Sequence, residues 1–357
     1  MRLSKLRQMM AQLDYQALLL TEPLNIRYLS GFSGSSASLL LTAERQFLLT
    51  DYRYTEQAQA ECAGFDIICR DRSAQSLGQC IASLLQPTAV SRLHLEYGHL
   101  SVELFMQLQH DLAITLSPAT NLPEQLRACK DPHELKCLRR AAAIADEALA
   151  WLLPQLQIGM TERQAADLLQ QKVYALGADE LAFPTILLSG ERSALPHGRP
   201  GQRCFKQGDW LLLDFGARVE GYRSDMTRTV VLGQASAEQQ QFYHTVQAAQ
   251  QAALAAVKPG ISGHRLDQIA QAVLIASPYA AYVGEGLGHG VGLALHEYPL
   301  MRRGCQVVLQ PGMVITIEPG LYKPGFGGVR IEDDIVLTRD GYELLTQSPR
   351  QLLQLPS

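Results

Sequence analysis

Two aspartates in the middle of the chain, Asp214 and Asp225, have the type and spacing that could bind a cation. They lie in the segment WLLLDFGARVEGYRSDMTRTVVL, which has the pattern of two β-strands joined by a tight turn. If Arg218 pairs with Gly221 across that turn, the two aspartates face each other with Cβ atoms about 4.5–5.5 Å apart. Carboxylates that close repel each other, and a hard divalent cation removes the repulsion by taking oxygen ligands. For this pair alone, a turn residue beside a solvated strand residue is the alternative interpretation.

Three further residues of the metal-binding type lie downstream, each in an unusual local setting. His289 stands in GEGLGHGVGL, where glycines permit close approach of a ligand or metal to the backbone. Glu318 ends the apolar run MVITIEPG, where a strand stops at a Pro-Gly turn. Glu332 lies in GGVRIEDDIVLT, a strand pattern in which Arg330, Glu332 and Asp334 share one face. Each residue alone is more often structural or solvated, but five on β-type segments form a stronger set.

The charge of this set indicates two metal ions rather than one. Four carboxylates bring four negative charges, which are costly to bury without partners. Two divalent cations cancel that charge, and the histidine adds a neutral nitrogen ligand. Paired ions about 3.5–4 Å apart are a common hydrolytic arrangement. Oxygen and nitrogen ligands without thiolate suit manganese, cobalt, zinc or iron.

The segments that carry these residues resemble the pita-bread metallopeptidases, in their Xaa-Pro aminopeptidase and Xaa-Pro dipeptidase (prolidase) branch. The resembling segments are LLLDFGARVEGYRSDMTRT, GLGHGVGLALHEYP, ITIEPGLY and GGVRIEDDIVLT. In the first third of the chain, PLNIRYLSGFSGSSASLLLT and LLTDYRYTEQA resemble the amino-terminal domain of the same branch. The resemblance therefore covers nearly all of the 357 residues.

The resemblance implies a role for each of the five ligand-type residues. Asp214 would chelate one metal ion, while Asp225 and Glu332 would bridge both ions. His289 and Glu318 would bind the second ion. Glu318 would also act as the general base that takes a proton from the attacking water. The implied cofactor is two divalent ions per chain, with manganese as the first choice.

Three more residues match positions of the family. His197 in SALPHGRP and His296 in LALHEYP are implied to contact the substrate carbonyl and to stabilise the tetrahedral oxyanion. The alternative for His197 is a loop residue beside two prolines. Arg330 resembles an arginine that orients the metal ligands, and a surface ion pair is its alternative.

The predicted fold class is α+β in two domains. Residues 1–127 form a small α/β domain like the creatinase/prolidase amino-terminal domain, with strand candidates ALLLT, ASLLLT, QFLLT and FDIIC. Residues 128–357 form the catalytic domain, which opens with Asp131 as the N-cap and Pro132 at the first position of a long helix. Helices are predicted near 132–155, 161–176, 236–257 and 264–275. The patterns favour a mostly antiparallel sheet, and the resemblance implies that it is curved and covered by helices.

Composition excludes several classes of protein. The net charge of −4 gives no electrostatic case for binding nucleic acid. The longest apolar runs fall well short of the ~20 residues of a membrane helix, and the amino-terminal segment has the pattern of an amphipathic helix rather than a signal peptide. Seven cysteines without CxxC spacing favour reduced thiols and a cytoplasmic protein. The expected partners are short peptides and, by resemblance, a second copy of the chain.

The predicted function is hydrolysis of the amino-terminal peptide bond of short peptides, with proline in the second position. The choice between dipeptidase and aminopeptidase stays open, although the compact first domain favours the prolidase-like type. One rival is a broader or Met-preferring aminopeptidase of the same fold. The others are a non-catalytic member that binds peptides or proteins and a metal-free amidinohydrolase, and the intact set of ligand residues disfavours both.

Overall fold

Short apolar runs in the first part of the chain become the strands of one mixed sheet. The protein is represented by a computed structural model that describes residues 2–356. A first compact unit ends at Arg127, and a second begins at Ala128. The sheet of the first unit has the order β4-β3-β2-β1-β5-β6. Its strands are β1 (Ala17–Leu20), β2 (Ser38–Thr42), β3 (Gln46–Thr50), β4 (Asp66–Cys69), β5 (Arg92–Leu95) and β6 (Thr115–Pro118).

Helices cover this sheet and complete the core of the first unit. They are α1 (Arg2–Gln12), α2 (Pro23–Ser30), α3 (Thr55–Glu61), α4 (Leu77–Leu85), α5 (Val102–Asp111) and α6 (Leu122–Ala128). Leu19 and Leu40 of the sheet pack with Ile81 of α4 and Leu108 of α5, and all four side chains are fully buried. The four strand candidates of the sequence are therefore strands, in a small α/β domain.

The helices of the second unit begin where their capping residues predict. They are α7 (Pro132–Leu152), α8 (Glu162–Ala175), α9 (Ala237–Ala256) and α10 (Gly263–Ile275). The carboxylate of Asp131 accepts a hydrogen bond from the backbone of Glu134 at 2.9 Å, and Pro132 takes the first helical position. The expected start of this long helix is confirmed, because the cap and the proline favour the same boundary.

The second unit contains two larger sheets and two smaller ones. The four-stranded sheet, in the order β20-β12-β9-β8, contains β8 (Ile186–Ser189), β9 (Trp210–Phe215), β12 (Met226–Leu232) and β20 (Gln354–Leu355). The five-stranded sheet, in the order β14-β13-β15-β18-β19, contains β13 (Gly288–Gly290), β14 (Glu297–Met301), β15 (Val314–Ile317), β18 (Asp333–Leu337) and β19 (Tyr342–Leu344). The smaller sheets contain β7 (Glu180–Leu181), β10 (Ala217–Val219) and β11 (Tyr222–Arg223), and β16 (Gly320–Lys323) and β17 (Gly327–Arg330).

Helices pack on the sheets of the second unit and share buried clusters with their strands. Ile144 of α7 and Leu169 of α8 share a buried cluster with Leu211 of β9. Phe242 of α9 and Leu266 of α10 share another with strand residues of the five-stranded sheet. Within the described residues, the paired strands of this unit are antiparallel apart from β12 and β20. The predicted α+β class with mostly antiparallel sheets is confirmed.

The hairpin that carries the two aspartates has a different register from the one predicted. Asp214 pairs with Thr227, and Arg218 pairs with Arg223. The two-residue turn is formed by Glu220 and Gly221, whose φ angles are +50° and +91°. The predicted pairing of Asp214 with Asp225 is therefore wrong by two residues. Because side chains alternate with a period of two, the shift keeps both aspartates on one face as diagonal neighbours.

Gly216 joins β9 to β10 at the point where the hairpin is most crowded. A Cβ atom built there would lie 1.8 Å from the backbone oxygen of Ser224, which cannot move without the opposite strand. We expect Gly216→Ala to lower the free energy of unfolding by about 1–3 kcal/mol, as overpacking does. Urea denaturation measures the change. Gly341→Ala is the matched control, because a Cβ there meets nothing within 4 Å. Equal losses in the two variants would show that the close approach is not a constraint.

Candidate metal centre

Five elements bring the predicted ligand residues to one cavity of the second unit. Asp214 lies in β9, Asp225 precedes β12, His289 lies in β13, Glu318 follows β15, and Glu332 lies between β17 and β18. All five line a cavity of about 500 Å³. His197, His296 and Arg330 line the same cavity. The structure therefore brings together all eight residues that the sequence analysis selected, although they are spread over 136 positions (197–332).

The spacing of the side chains suits a bound ion. Nε2 of His289 lies 3.5 Å from Oδ2 of Asp225 and 3.2 Å from Oε1 of Glu318. One ligand atom each of Asp225, His289 and Glu332 lies within 4.8 Å of the others. With metal–ligand bonds of about 2.0–2.2 Å, the ligand atoms of a tetrahedral ion stand roughly 3.3–3.6 Å apart. His289 and the two acids beside it are thus already at the separation that one ion requires.

The electrostatics of the cavity also fit divalent cations. Oδ1 of Asp214 and Oε1 of Glu332 are buried oxygens without a hydrogen-bond partner in the described structure. Burial, followed by the repulsion of neighbouring carboxylates, raises the pKa of Asp225 and of Glu332 well above the ordinary range. Burial also raises the pKa of Asp214, against the effect of Arg330. A cluster of acids that cannot all ionise alone is the kind of site in which cations replace protons.

The backbone around His289 fixes the direction of the imidazole. The carbonyl of Gly290 lies 3.0 Å from Nδ1, which places a proton on Nδ1 and turns Nε2 toward the acids. The backbone N–H of His289 donates to Oγ1 of Thr316 at 3.0 Å, and that hydroxyl donates to Oε1 of Glu318 at 3.1 Å. One threonine therefore holds two predicted ligands, one in β13 and one directly after β15.

The glycines beside His289 have a different cause from the predicted one. A Cβ at Gly288 would lie 2.3 Å from the carbonyl oxygen of Thr316, and one at Gly290 would lie 2.5 Å from that of Tyr298. Close approach of the backbone was expected, but the approaching groups are the neighbouring strands β15 and β14. These glycines allow β13 to lie between two strands while it presents its histidine.

Arg330 is buried and connects two of the acids. Its guanidinium forms an ion pair with Asp214, and its Nε donates to Oγ1 of Thr227 at 3.0 Å. Thr227 in turn donates to Oε2 of Glu332 at 2.5 Å, and the third nitrogen donates to the hydroxyl of Tyr322 at 2.7 Å. With only 4% of the residue exposed, the surface ion pair considered for Arg330 does not describe its position. Thr227 was not among the predicted site residues, although it stands two residues after Asp225 and therefore on the same strand face.

A second group of residues, also missed, holds Glu332 from behind. Arg228 donates to the backbone oxygen of Glu332 and to Oδ1 of Asp333. The same guanidinium donates to the carbonyl of Ser348, at 2.7 Å. Arg228 thus ties the strand connection that carries Glu332 to the end of the chain, a non-local contact that strand periodicity does not signal.

The predicted strand face of Arg330, Glu332 and Asp334 is interrupted in the structure. β17 ends at Arg330, and β18 begins at Asp333. Asp334 does not line the cavity, and its Oδ2 accepts a hydrogen bond from the backbone N–H of Asp225 at 2.8 Å. Its carboxylate therefore supports Asp225 from outside, and burial raises its pKa to about 8.

The two further histidines lie at the solvent side of the cavity. The ring centroid of His296 lies 4.3 Å from that of His289, with the planes nearly perpendicular at 88°. Partial burial, followed by the nearby His289, lowers the pKa of His296, which keeps the ring neutral at neutral pH. His197 is exposed in the turn beside Pro196, and both residues line the cavity. His197 is thus a loop residue that nevertheless faces the candidate site.

Comparison with known proteins agrees with this fold. The family described as "Metallopeptidase family M24" matches residues 136–339, and the "Creatinase/Prolidase N-terminal domain" matches residues 2–129. The chain belongs to the M24 metallopeptidase family, with a creatinase/prolidase amino-terminal domain. The predicted family and the predicted class of enzyme, a metallopeptidase, are confirmed. Membership of this family implies divalent metal ions.

Particular relatives resemble the chain over its whole length. An uncharacterized peptidase of Bacillus subtilis (strain 168), YqhT, is 38% identical over 356 residues, which cover 99% of this chain and 100% of that protein. An Xaa-Pro dipeptidase from Bacillus anthracis is 34% identical with a TM-score of 0.95, covering 99% of both chains. An X-Pro aminopeptidase from Thermotoga maritima MSB8 is 33% identical with a TM-score of 0.86, covering 95% of this chain and 97% of that one. Among residues 2–356, no helix is both long and apolar enough to cross a membrane.

The buried acids make the stability of the metal-free protein depend on pH. Asp225, Glu332 and Asp334 have raised pKa values in the folded chain, so the folded state binds protons that the unfolded state releases above about pH 4. Stability is therefore lost as the pH rises from the unfolded values toward the folded ones. We expect the melting temperature of chelator-treated protein to fall between about pH 5 and about pH 8. Added manganese should raise it more at pH 8 than at pH 5.

Differential scanning calorimetry at several pH values, with and without manganese, measures this effect. Each fully shifted group contributes up to about 1.4 kcal/mol per pH unit in that range. The double variant Asp225→Asn, Glu332→Gln is the control, and its pH dependence should be flatter. A melting temperature of the metal-free protein that rises over the same range would contradict the interpretation of the acid cluster.

Proposed function

We propose that this protein hydrolyses the amino-terminal peptide bond of short peptides whose second residue is proline, with two divalent ions, manganese by preference. The observation that carries the proposal is a buried acid cluster around His289 that opens into a cavity with two more histidines. Support comes from a fold similar to that of an Xaa-Pro dipeptidase and an X-Pro aminopeptidase. Both kinds of enzyme act on proline peptides, so the proposal concerns the bond and leaves peptide length to experiment.

Five side chains would hold the ions in this proposal: Asp214, Asp225, His289, Glu318 and Glu332. When bound, the ions supply Lewis acidity, which polarises a carbonyl group and makes water a stronger acid. Arg330 and Thr227 keep the carboxylates of Asp214 and Glu332 in place from behind. The acids also suit the free amino group of a peptide, because a cationic amine is attracted to a cavity lined by carboxylates.

Glu318 is proposed as the general base. In the metal-free protein, burial alone would raise its pKa, but the hydrogen bond and charge of a protonated His289, followed by the charge of Arg330, hold the pKa below the ordinary range. In the proposed site the positive charge of a bound ion would replace that of His289. The carboxylate is therefore ionised at neutral pH and can accept a proton from water. About 23% of the side chain is exposed on the cavity side, which lets it reach the water and then pass the proton to the leaving nitrogen.

His296 and His197 are proposed as donors to the oxyanion. A neutral imidazole donates from one ring nitrogen, and the lowered pKa of His296 keeps it in that state. His296 packs against His289, so its ring is held beside the acid cluster rather than free in solvent. Preorganised donors of this kind contribute roughly 10²–10³ in rate.

The walls of the cavity suit proline. They include the apolar residues Phe183, Ile186, Pro196, Leu295 and Leu300. Proline presents an apolar ring and, in a peptide, no backbone N–H. A pocket with apolar walls therefore suits proline, because proline has no N–H group that would need a hydrogen-bond acceptor there.

Replacing the proposed base tests the mechanism. We expect Glu318→Gln to lower kcat on an Xaa-Pro peptide by about 10²–10⁴-fold, the range of general acid–base catalysis. Glu147→Gln, the same chemical change on the exposed face of α7, is the control. The metal content of each variant is measured in parallel, so that loss of a ligand is separated from loss of the base. More than about a tenth of the wild-type rate in Glu318→Gln, at full metal content, would remove its assigned role.

A peptide panel tests the proposed substrate. Peptides of two to five residues with Pro, Ala or Leu in the second position are compared at equal metal loading. We expect kcat/KM to be at least about tenfold higher with proline, the scale on which an apolar pocket distinguishes shapes. Cleavage of the dipeptide alone would define a dipeptidase, and cleavage at every length an aminopeptidase. Equal rates with Pro, Ala and Leu would contradict the proline preference and favour the broader aminopeptidase.

A further inference from the structure

A second group of metal-binding side chains lies outside the catalytic cavity. His133 and Cys137 stand one turn apart on α7, so their side chains share one face of the helix. Glu220 in the β10–β11 turn approaches the same place. One ligand atom from each of the three residues lies within 4.8 Å of the others. None of the three lines the catalytic cavity.

Two of the three distances among these atoms are close to those of a tetrahedral ion. Nε2 of His133 lies 3.4 Å from Oε2 of Glu220 and 3.9 Å from Sγ of Cys137. Tetrahedral zinc, with bonds of about 2.1 Å to nitrogen or oxygen and about 2.3 Å to sulfur, separates those pairs by roughly 3.4 and 3.6 Å. The first separation is already met, and the second needs a movement of only a few tenths of an ångström.

The three groups differ in burial: the thiol is buried, and the other two side chains are exposed above it. Cys137 is only 2% exposed, whereas the side chains of His133 and Glu220 are 61% and 64% exposed. An ion can therefore reach the sulfur from solvent between the two outer side chains. Water can supply the fourth ligand, as it does in open zinc sites. Without an ion, Nε2 of His133 pairs with Glu220 and also lies within hydrogen-bond distance of the thiol, so the three groups already converge on one point.

Glu220 has an unusual backbone conformation in its turn. Its φ of +50° lies in the left-handed region, which residues other than Gly, Asn and Asp seldom adopt. The backbone N–H of Glu220 donates to Oδ2 of Asp179 at 2.5 Å, which fixes the turn in this conformation. Asn-Gly and Asp-Gly are the sequences that form a turn of this type most easily. Glu220 has an unfavourable φ angle, but its side chain is longer than that of Asn or Asp and extends toward α7.

We propose that His133, Cys137 and Glu220 form a zinc site, separate from the catalytic centre, that fastens the first turns of α7 to the β10–β11 hairpin. Zinc accepts nitrogen, oxygen and thiolate ligands together, whereas manganese favours oxygen. The thiolate makes this site selective for zinc while the catalytic acids take a harder ion. The ion's structural effect reaches the catalytic centre through the hairpin, because the hairpin connects Asp214 to Asp225.

Binding of an ion at this site would have to displace the proton of the buried thiol. Burial, followed by the carboxylate of Glu220, raises the pKa of Cys137 to about 11. Without an ion the thiol therefore stays protonated at neutral pH. A bound divalent cation reverses that preference, because a coordinated thiol loses its proton.

Cobalt is the probe that distinguishes this site from the catalytic one. Full-length protein is treated with a chelator and titrated with Co²⁺ in the presence of saturating manganese, and the near-ultraviolet spectrum is recorded. Cobalt bound to thiolate shows a charge-transfer absorption that oxygen and nitrogen ligands do not give, and the catalytic ligand set contains no sulfur. We expect the band to grow to one equivalent of cobalt and to disappear when zinc is added. The measurement needs no substrate, so it is independent of the proposed peptidase activity.

Variants identify the ligands. Cys137→Ser should abolish the band, and Cys204→Ser, which removes an exposed thiol elsewhere, should leave it unchanged. His133→Ala and Glu220→Gln alter exposed side chains, so they decide the question even if Cys137→Ser fails to fold. Each should weaken cobalt binding at least about tenfold. Absence of the band at saturating cobalt, its persistence in Cys137→Ser, or unchanged affinity in both exposed variants would overturn the proposal.

Discussion

Repulsion among buried carboxylates is the constraint on which the rest of this structure depends. Asp214, Asp225 and Glu332 are each at most 7% exposed and share a cavity with Glu318. Arg330 offsets one charge through Asp214, but it leaves the other acids facing one another. A fold would not retain such a cluster for stability, because apolar side chains of similar volume would fill the space at lower cost. If cations bind there as proposed, they offset the repulsion, and the site then trades stability of the metal-free chain for affinity toward divalent ions.

The fold holds the mutually repelling carboxylates on separate elements. Each acid is attached to a different strand or strand end, and the strands β9, β12, β15, β17 and β18 share buried clusters with helices. Hydrogen bonds then restrain the carboxylates: Thr227 and Arg330 hold Glu332 and Asp214, and Thr316 holds Glu318. These donors satisfy one oxygen of Glu332 and of Asp214 and leave the other without a partner, and the proposed ion would supply that partner.

Much of this arrangement could be predicted from the sequence, because the elements and ligands have local signals. The start of α7 follows from Asp131 and Pro132, and Glu318 follows from an apolar run that ends at Pro-Gly. The contacts of Arg228 could not be predicted, because its partners lie more than 100 positions away. The hairpin register was also wrong, since it depends on a left-handed glutamate at position 220 that no turn preference favours.

The register of this hairpin decides whether Asp214 and Asp225 lie on the same face of the sheet. A shift of two residues leaves Asp214 and Asp225 on one face, so a wrong pairing could still bring the two acids to one place. A shift of one residue would send one of them to the opposite face and destroy the site. The β10–β11 turn, with Gly216 and Ser224 in contact behind it, is what excludes that slip. Control of the proposed metal centre therefore lies partly in a turn that contributes no ligand to it, and any contact that holds Glu220 in place also holds the two aspartates in register.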